Sequence, residues 1–334
     1  MTKHTGEAMH RRTLLDIAWC ASAAGALAAP ARAQAPEAWP ARALRLIVPY
    51  PAGGTNDQVA RPYADFLRQR IGQAVVVENR PGAQTNIGSE AGARAAPDGY
   101  TLLFGQASLA INAAAGPFPG FDALTALAPV GGIGRIPYVL ATRPAFPARD
   151  LREAILLARR EPGRYTVASA QLDFQVAAMN RRSNMEFEHV GYRGGAQATT
   201  DAIAGRVDTV FALTPVLLPH IQEGRLRALG VTGPRRAALL PGVPTFLETG
   251  ESQVSAVNWF GIFVPAETPR PIVERLAAET RAFAEDAGVV QRLAAIGVEI
   301  EPSTPEELGR TLAGETAAYR QIAQEIAWRP VGER

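Results

Sequence analysis

The chain has little of what covalent and metal chemistry needs. Among its 334 residues there is one cysteine, Cys20, and four histidines. Cys20 lies in the N-terminal leader described below, so the rest of the chain has no disulfide, thiol nucleophile or thiolate metal site. Beyond that leader only His189 and His220 remain. G-x-S-x-G and H-E-x-x-H are both absent, so neither a nucleophile-elbow hydrolase nor a zinc protease has its signature here. A phosphate-binding G-x-x-x-x-G-K-[ST] is also missing. Gly131-Gly132-Ile133-Gly134 lacks the third glycine and the strand-to-helix setting of a dinucleotide site. No catalysis, metal or cofactor is expected.

Net charge is lacking as well. The +2 of the whole chain belongs to the leader, which carries Lys3, Arg11, Arg12 and Arg32 against Glu7 and Asp16; the remainder is formally neutral. No basic stripe points to nucleic acid. The longest apolar run, Leu14 to Ala29, contains Asp16 and falls short of the ~20 residues of a membrane span. Arg11 and Arg12 precede it and Ala31-Arg32-Ala33 ends it, so residues 1–35 read as a signal peptide. The paired arginines leave Sec and twin-arginine export open, and Met9 is an alternative start. Trp19 before Cys20 argues against a lipid anchor.

What the chain does have is strand and helix patterns in regular alternation. Leu44, Leu46 and Val48 share a strand face; Val59, Tyr63, Phe66 and Leu67 follow at helical spacing, with Gly72 as the stop. Thr55 and Gln58 have capping-box spacing. Strands are expected at residues 74–78 and 100–104, giving βαβαβ, half of a doubly wound sheet. A second set is expected at 165–168, 186–190, 207–211 and 226–231. Strands at 259–264 and 298–300 follow, with a final helix opened by Thr304-Pro305-Glu306-Glu307. If these last elements pack back on the first set, the chain crosses twice between two α/β lobes, near residues 135–138 and 255–259. Lobe 1 is then 36–136 plus 257–334 and lobe 2 is 137–256, which makes a hinge.

Two loops carry the functional signal. Pro49-Tyr50-Pro51-Ala52-Gly53-Gly54-Thr55-Asn56-Asp57 lies between the first strand and first helix, where ligands bind in open α/β sheets. Glycine exposes backbone N–H groups to an anion that the helix dipole also favours; a plain tight turn is the alternative. A similar loop, Asn79 to Gly88, follows the next strand.

These loops, with Ala60-Arg61, Glu78 to Gly82 and Pro97-Asp98-Gly99-Tyr100-Thr101-Leu102-Leu103, resemble the Bug family of tripartite tricarboxylate transporter receptors. Later stretches keep the family's order: His189 to Gly194, Gly205 to Asp208, Gly224 to Leu229, Leu240 to Thr245, and Trp259. The resemblance implies a type II-like periplasmic-binding-protein fold of two α/β lobes that closes on a small carboxylate, or a related amide or amino acid. It implies export to the periplasm, membrane permease subunits as partners, and a monomer. It places Gly53, Gly54 and Thr55 at one carboxylate, with Asn86 and Ser108 beside it, and Asp57 of the same loop is a further candidate ligand-binding residue. From lobe 2 it brings Ser169 and the loop after it with Gln171, Tyr192 and Asp208.

The chain departs from the family at Ala168 to Gln175, where a Gly/Ser-rich loop and a histidine are usual, and at Gly191, where proline is usual. Asp173 is the informative residue there. If it faces the cleft it disfavours a second carboxylate and favours an amine or amide; the alternative is a helix N-cap. Arg193 could pair with a carboxylate or stay in solvent, and Tyr192 could pack or touch ligand. A secreted hydrolase and a ligand-sensing subunit of a signalling system are the rival readings.

Overall fold

The computed structural model describes residues 39–115, 121–170, 172–251, 254 and 256–328. The leader, Gln171 and Ser255 lie outside these residues. In chain order the elements are β1 (Leu44–Val48), α1 (Thr55–Ile71), β2 (Val75–Asn79), α2 (Asn86–Ala93), β3 (Thr101–Gln106), α3 (Ser108–Ala115), α4 (Ala123–Ala126), β4 (Leu127–Thr142), α5 (Leu151–Arg160), β5 (Thr166–Ala170), α6 (Asp173–Ser183), β6 (Glu188–Tyr192), α7 (Gly195–Ile203), β7 (Thr209–Leu213), α8 (Thr214–Gln222), β8 (Arg227–Val231), β9 (Val257–Pro265), α9 (Arg270–Glu285), α10 (Ala287–Ala294), β10 (Glu299–Ser303) and α11 (Pro305–Glu325).

The strands form two α/β sheets that share β4. In the first, β2, β1 and β3 are parallel, and β9 joins β3 antiparallel. In the second, β6, β5 and β7 are parallel. The long β4 pairs with β9 through Pro137 and with β10 near Gly134, then with β7 and β8 from Tyr138 onward. The sheets are therefore mixed rather than wholly parallel, because one strand serves both. After β8, Thr232 N–H donates to the Tyr138 carbonyl, and the chain re-enters the first sheet where Val257 pairs with Pro137.

Each sheet has its own core. Beneath the first, Phe263, Trp259 and Leu103 pack with Leu308, Leu312 and Tyr319 of α11. Beneath the second, Val167, Phe211 and Leu229 pack with Leu151 and Ile155 of α5. Tyr63 of α1 and Thr280 of α9 share a hydroxyl hydrogen bond of 2.8 Å. Phe174 of α6 crosses over to pack edge-on against Tyr319 and Trp328, with ring centroids 5.6 and 5.5 Å away. Each such aromatic pair contributes about 0.5–1.5 kcal/mol beyond its buried area.

Candidate functional site

A cleft of about 510 Å³ opens between the two sheets. It is lined by the loops after β1, β2 and β3 of the first sheet and after β5, β6 and β7 of the second. All six are carboxyl ends of parallel strands, where the sheet backbone runs out and helices begin.

On the first side, Gly53, Gly54, Thr55 and Asn56 line the cleft. Gly53 turns at φ +81°, a conformation that side chains resist. The expected Thr55–Gln58 capping box does not form: Gly54 is the N-cap of α1, Thr55 is already the first helical residue, and no side chain caps the end. The first-turn amides of a helix have no partner within it, so here they are left for an external acceptor on the positive end of the dipole. Asp57 does not reach the cleft surface but braces the loop from behind. Its Oδ2 accepts from the Gly53 amide at 2.9 Å and from Arg61 at 2.7 Å, and its Oδ1 accepts from Asn79 at 3.1 Å. Burial alone would raise the Asp57 carboxyl, but the bonds from Arg61, Gly53 and Asn79 outweigh it and hold it below its ordinary value.

The second loop is strained. Ala83, Gln84 and Thr85 are consecutive non-glycine residues at φ +43°, +50° and +78°. Such positions cost of order 1–3 kcal/mol each and persist only where surroundings over-determine them. Asn112 of α3 supplies that restraint, donating to the Gln84 carbonyl at 2.7 Å, to Thr85 Oγ1 at 3.2 Å and to Asn86 Oδ1 at 3.1 Å. Ser108 Oγ accepts from Tyr50 at 3.0 Å and from Thr85 at 3.2 Å. Burial pushes the Tyr50 hydroxyl far above its usual range, so it remains a neutral donor. Ser108 lines the cleft; Asn86 lies behind it, bonded to Asn112.

On the second side, Asp173 and Arg193 line the cleft while Ser169, Tyr192 and Asp208 do not. Tyr192 donates to Asp201 Oδ2 at 2.8 Å. Asp208 Oδ2 accepts from the amide and hydroxyl of Thr166, tying the start of β7 to β5. These two polar groups are consumed by structure. Arg193 is exposed at the rim, just before α7, whose N-cap Gly194 also lacks a side-chain cap.

Asp173 is the first residue of α6, whose N-cap is Leu172 with no side-chain cap, so Asp173 is not the N-cap. Its Oδ1 lies 3.5 Å from His189 Nδ1, and His189 Nε2 lies 2.8 Å from Ser169 Oγ. The order Ser169, His189, Asp173 is that of a hydrolytic triad, an arrangement invisible in the sequence. Its working end is reversed, however: Ser169 is fully buried and the carboxylate faces the cleft. Ser169 is thus covered in this conformation while Asp173, linked to it through His189, stands on the cleft wall.

Sequence reasoning does not single out Gln106, Asn112, Tyr138 or Asn258. Asn258 had a signal, as the polar second residue of an otherwise apolar buried strand. Among the described residues, Thr55 Oγ1, Asn56 Oδ1, Gln106 Oε1 and both side-chain polar atoms of Asn258 are buried without a hydrogen-bond partner, and all four residues line the cleft. Each such group costs about 1–3 kcal/mol unless something enters to pair it.

The chain as a whole is similar to known proteins. Residues 59–328 match the model of the tripartite tricarboxylate transporter family receptor. The chain is 32% identical to the BugT protein of Bordetella pertussis over 323 residues, covering 95% of this chain and 98% of that one. Among solved structures, periplasmic binding protein BugD is 27% identical, with a TM-score of 0.79 over 86% of this chain and 99% of that one. A protein of R. palustris solved with adipate is 28% identical, with a TM-score of 0.81 over 88% of this chain and 100% of that one. The two-lobed fold is thus that of periplasmic binding proteins, and the chain belongs to the tripartite tricarboxylate transporter receptors, the Bug-type solute-binding proteins.

Proposed function

We propose that this protein is a periplasmic receptor that captures a small carboxylate, or a related amide or amino acid, in the cleft and delivers it as a monomer to the membrane permease of a tripartite transporter. The observation that carries the reading is the uncapped N-terminus of α1 on the cleft wall, with Gly53, Gly54 and Thr55 around it. Bare amides at the positive end of a helix suit a carboxylate without a salt bridge. The adipate bound by a 28% identical relative is of the same chemical class. The burial of Ser169 supports binding without hydrolysis.

Closure runs about the two crossings near residues 135–138 and 255–259, with lobe 1 at 36–136 and 257–334 and lobe 2 at 137–256. The switch of β4 from the first sheet to the second at Pro137–Tyr138 supports this division. Among the described residues no helix is long and apolar enough to cross a membrane.

Calorimetric titration with mono- and dicarboxylates and their methyl esters tests the reading. Acids bind and esters do not, and a hundredfold excess over Kd stabilises the fold by about 2.7 kcal/mol. Gly54→Asp puts a carboxylate into the anion site. Gly54 has φ −76° and its nearest obstacle to a Cβ is the Pro51 carbonyl at 3.6 Å, so the fold tolerates the change. Affinity falls at least about a hundredfold, as expected for like charges forced together. Esters binding as well as acids, or full affinity in Gly54→Asp, contradicts the reading.

A further inference from the structure

The unpaired polar atoms at the floor of the cleft say more about the ligand. Gln106 ends β3 and Asn258 is the second residue of β9. The β3/β9 register sets Gln106 opposite Phe260, and Asn258, two residues before Phe260, projects to the same face. The two carboxamides are thus diagonal neighbours on adjacent strands. Asn258 is 0% exposed and Gln106 7% exposed, both line the cleft, and neither Asn258 Nδ2, Asn258 Oδ1 nor Gln106 Oε1 has a partner among the described residues. Apolar side chains would fill the same floor at no desolvation cost.

Whichever way its amide is turned, Asn258 presents one donor and one acceptor. A second ionised carboxylate would use the donor alone and set its charge against the oxygen. A neutral group that both donates and accepts satisfies both atoms. The charge around the floor argues the same way, because Asp173 lines the cleft from the other sheet. Among the described residues that line the cleft, Arg193 is the one arginine, and it sits at the exposed rim, where water screens it.

We propose that Gln106 and Asn258 form a second polar subsite that takes the primary carboxamide end of a ligand whose other end is a carboxylate, so that the protein prefers half-amides to the matching diacids. This rests on the reading of the cleft as a carboxylate site and adds the identity of the far end.

The test is calorimetric titration of the folded chain with matched probes: succinate and succinamate, glutarate and glutaramate, adipate and adipamate, with butyrate as the simple acid. For at least one chain length the half-amide binds about tenfold tighter than its diacid. In Asn258→Leu and in Gln106→Met that ratio collapses towards one. The ligand-free melting temperature of Asn258→Leu holds or rises, because two unpaired buried groups are gone. A diacid that binds as tightly as its half-amide at every length overturns the inference, as does an unchanged ratio in both variants. A clear fall in the melting temperature of ligand-free Asn258→Leu also overturns it, since the amide would then be paired within the protein. If butyrate and all six probes fail to bind, the carboxylate reading itself fails and this subsite with it; butyrate binding without an amide preference removes the subsite alone.

Discussion

Trp259 of β9 donates its indole N–H to Glu315 of α11 across 2.7 Å, directly beneath the strand that floors the cleft. Burial raises the Glu315 carboxyl to about 7, against the lowering effects of Trp259 and of Arg135, which is itself 3.0 Å from Glu301. The folded protein therefore holds a proton on Glu315 at pH values where the unfolded chain has released it. Stability from this group is fully present below the unfolded value near 4.5 and declines as pH rises to about 7. Glu315→Gln keeps the acceptor for Trp259 and removes the titration. Denaturant unfolding from pH 5 to 8 shows the variant equal to wild type at the acid end and more stable, on the order of 2 kcal/mol, at the alkaline end. A gap that does not change with pH contradicts this.

Asp57 behaves in the opposite sense. Its folded value is lowered, so its contribution is present above the unfolded value near 4 and is lost as pH falls through the folded value. Asp57→Asn loses about 1–2 kcal/mol at neutral pH, and the difference from wild type closes below pH 4. The variant also binds acid more weakly, because the amide of Gly53 is no longer held by a charged acceptor.

Asn112 bonds to two of the three left-handed residues, Gln84 and Thr85, and to Asn86 after them. Asn112→Ala removes its bonds to Gln84, Thr85 and Asn86. Chemical denaturation gives a loss of about 2 kcal/mol, and hydrogen exchange speeds up at residues 83–86 while the core strands keep their protection. Unchanged exchange there would mean that the loop holds its conformation by itself.

The legible parts of the fold were those fixed by neighbours in sequence. The capping box of Thr304 and Glu307 forms in both directions. β4 was not legible. Pro129, Gly131, Gly132, Gly134 and Pro137 interrupt any strand pattern, no strand is expected there, and the segment becomes a 16-residue strand through pairing with partners on both sheets. Glycine is needed at position 134 because a Cβ there would collide with the Glu299 carbonyl of β10. The site divides in the same way. The loop of Gly53, Gly54 and Thr55 announces itself through the strand and helix that flank it. Gln106 and Asn258 do not, because their neighbourhood is set by register between strands more than 150 residues apart in the chain. Tyr192 and Asp208 carry matching motif residues yet spend their polar groups on Asp201 and Thr166, a choice of partner that only the folded chain makes.

The central claim is that the bare amides opening α1 hold a carboxylate, and amide chemical shifts read it most directly. In a deuterated sample titrated with the tightest acid of the calorimetric series, the N–H resonances of Gly54 and Thr55 shift furthest downfield at saturation. Saturable binding that leaves those two resonances unmoved would contradict the account.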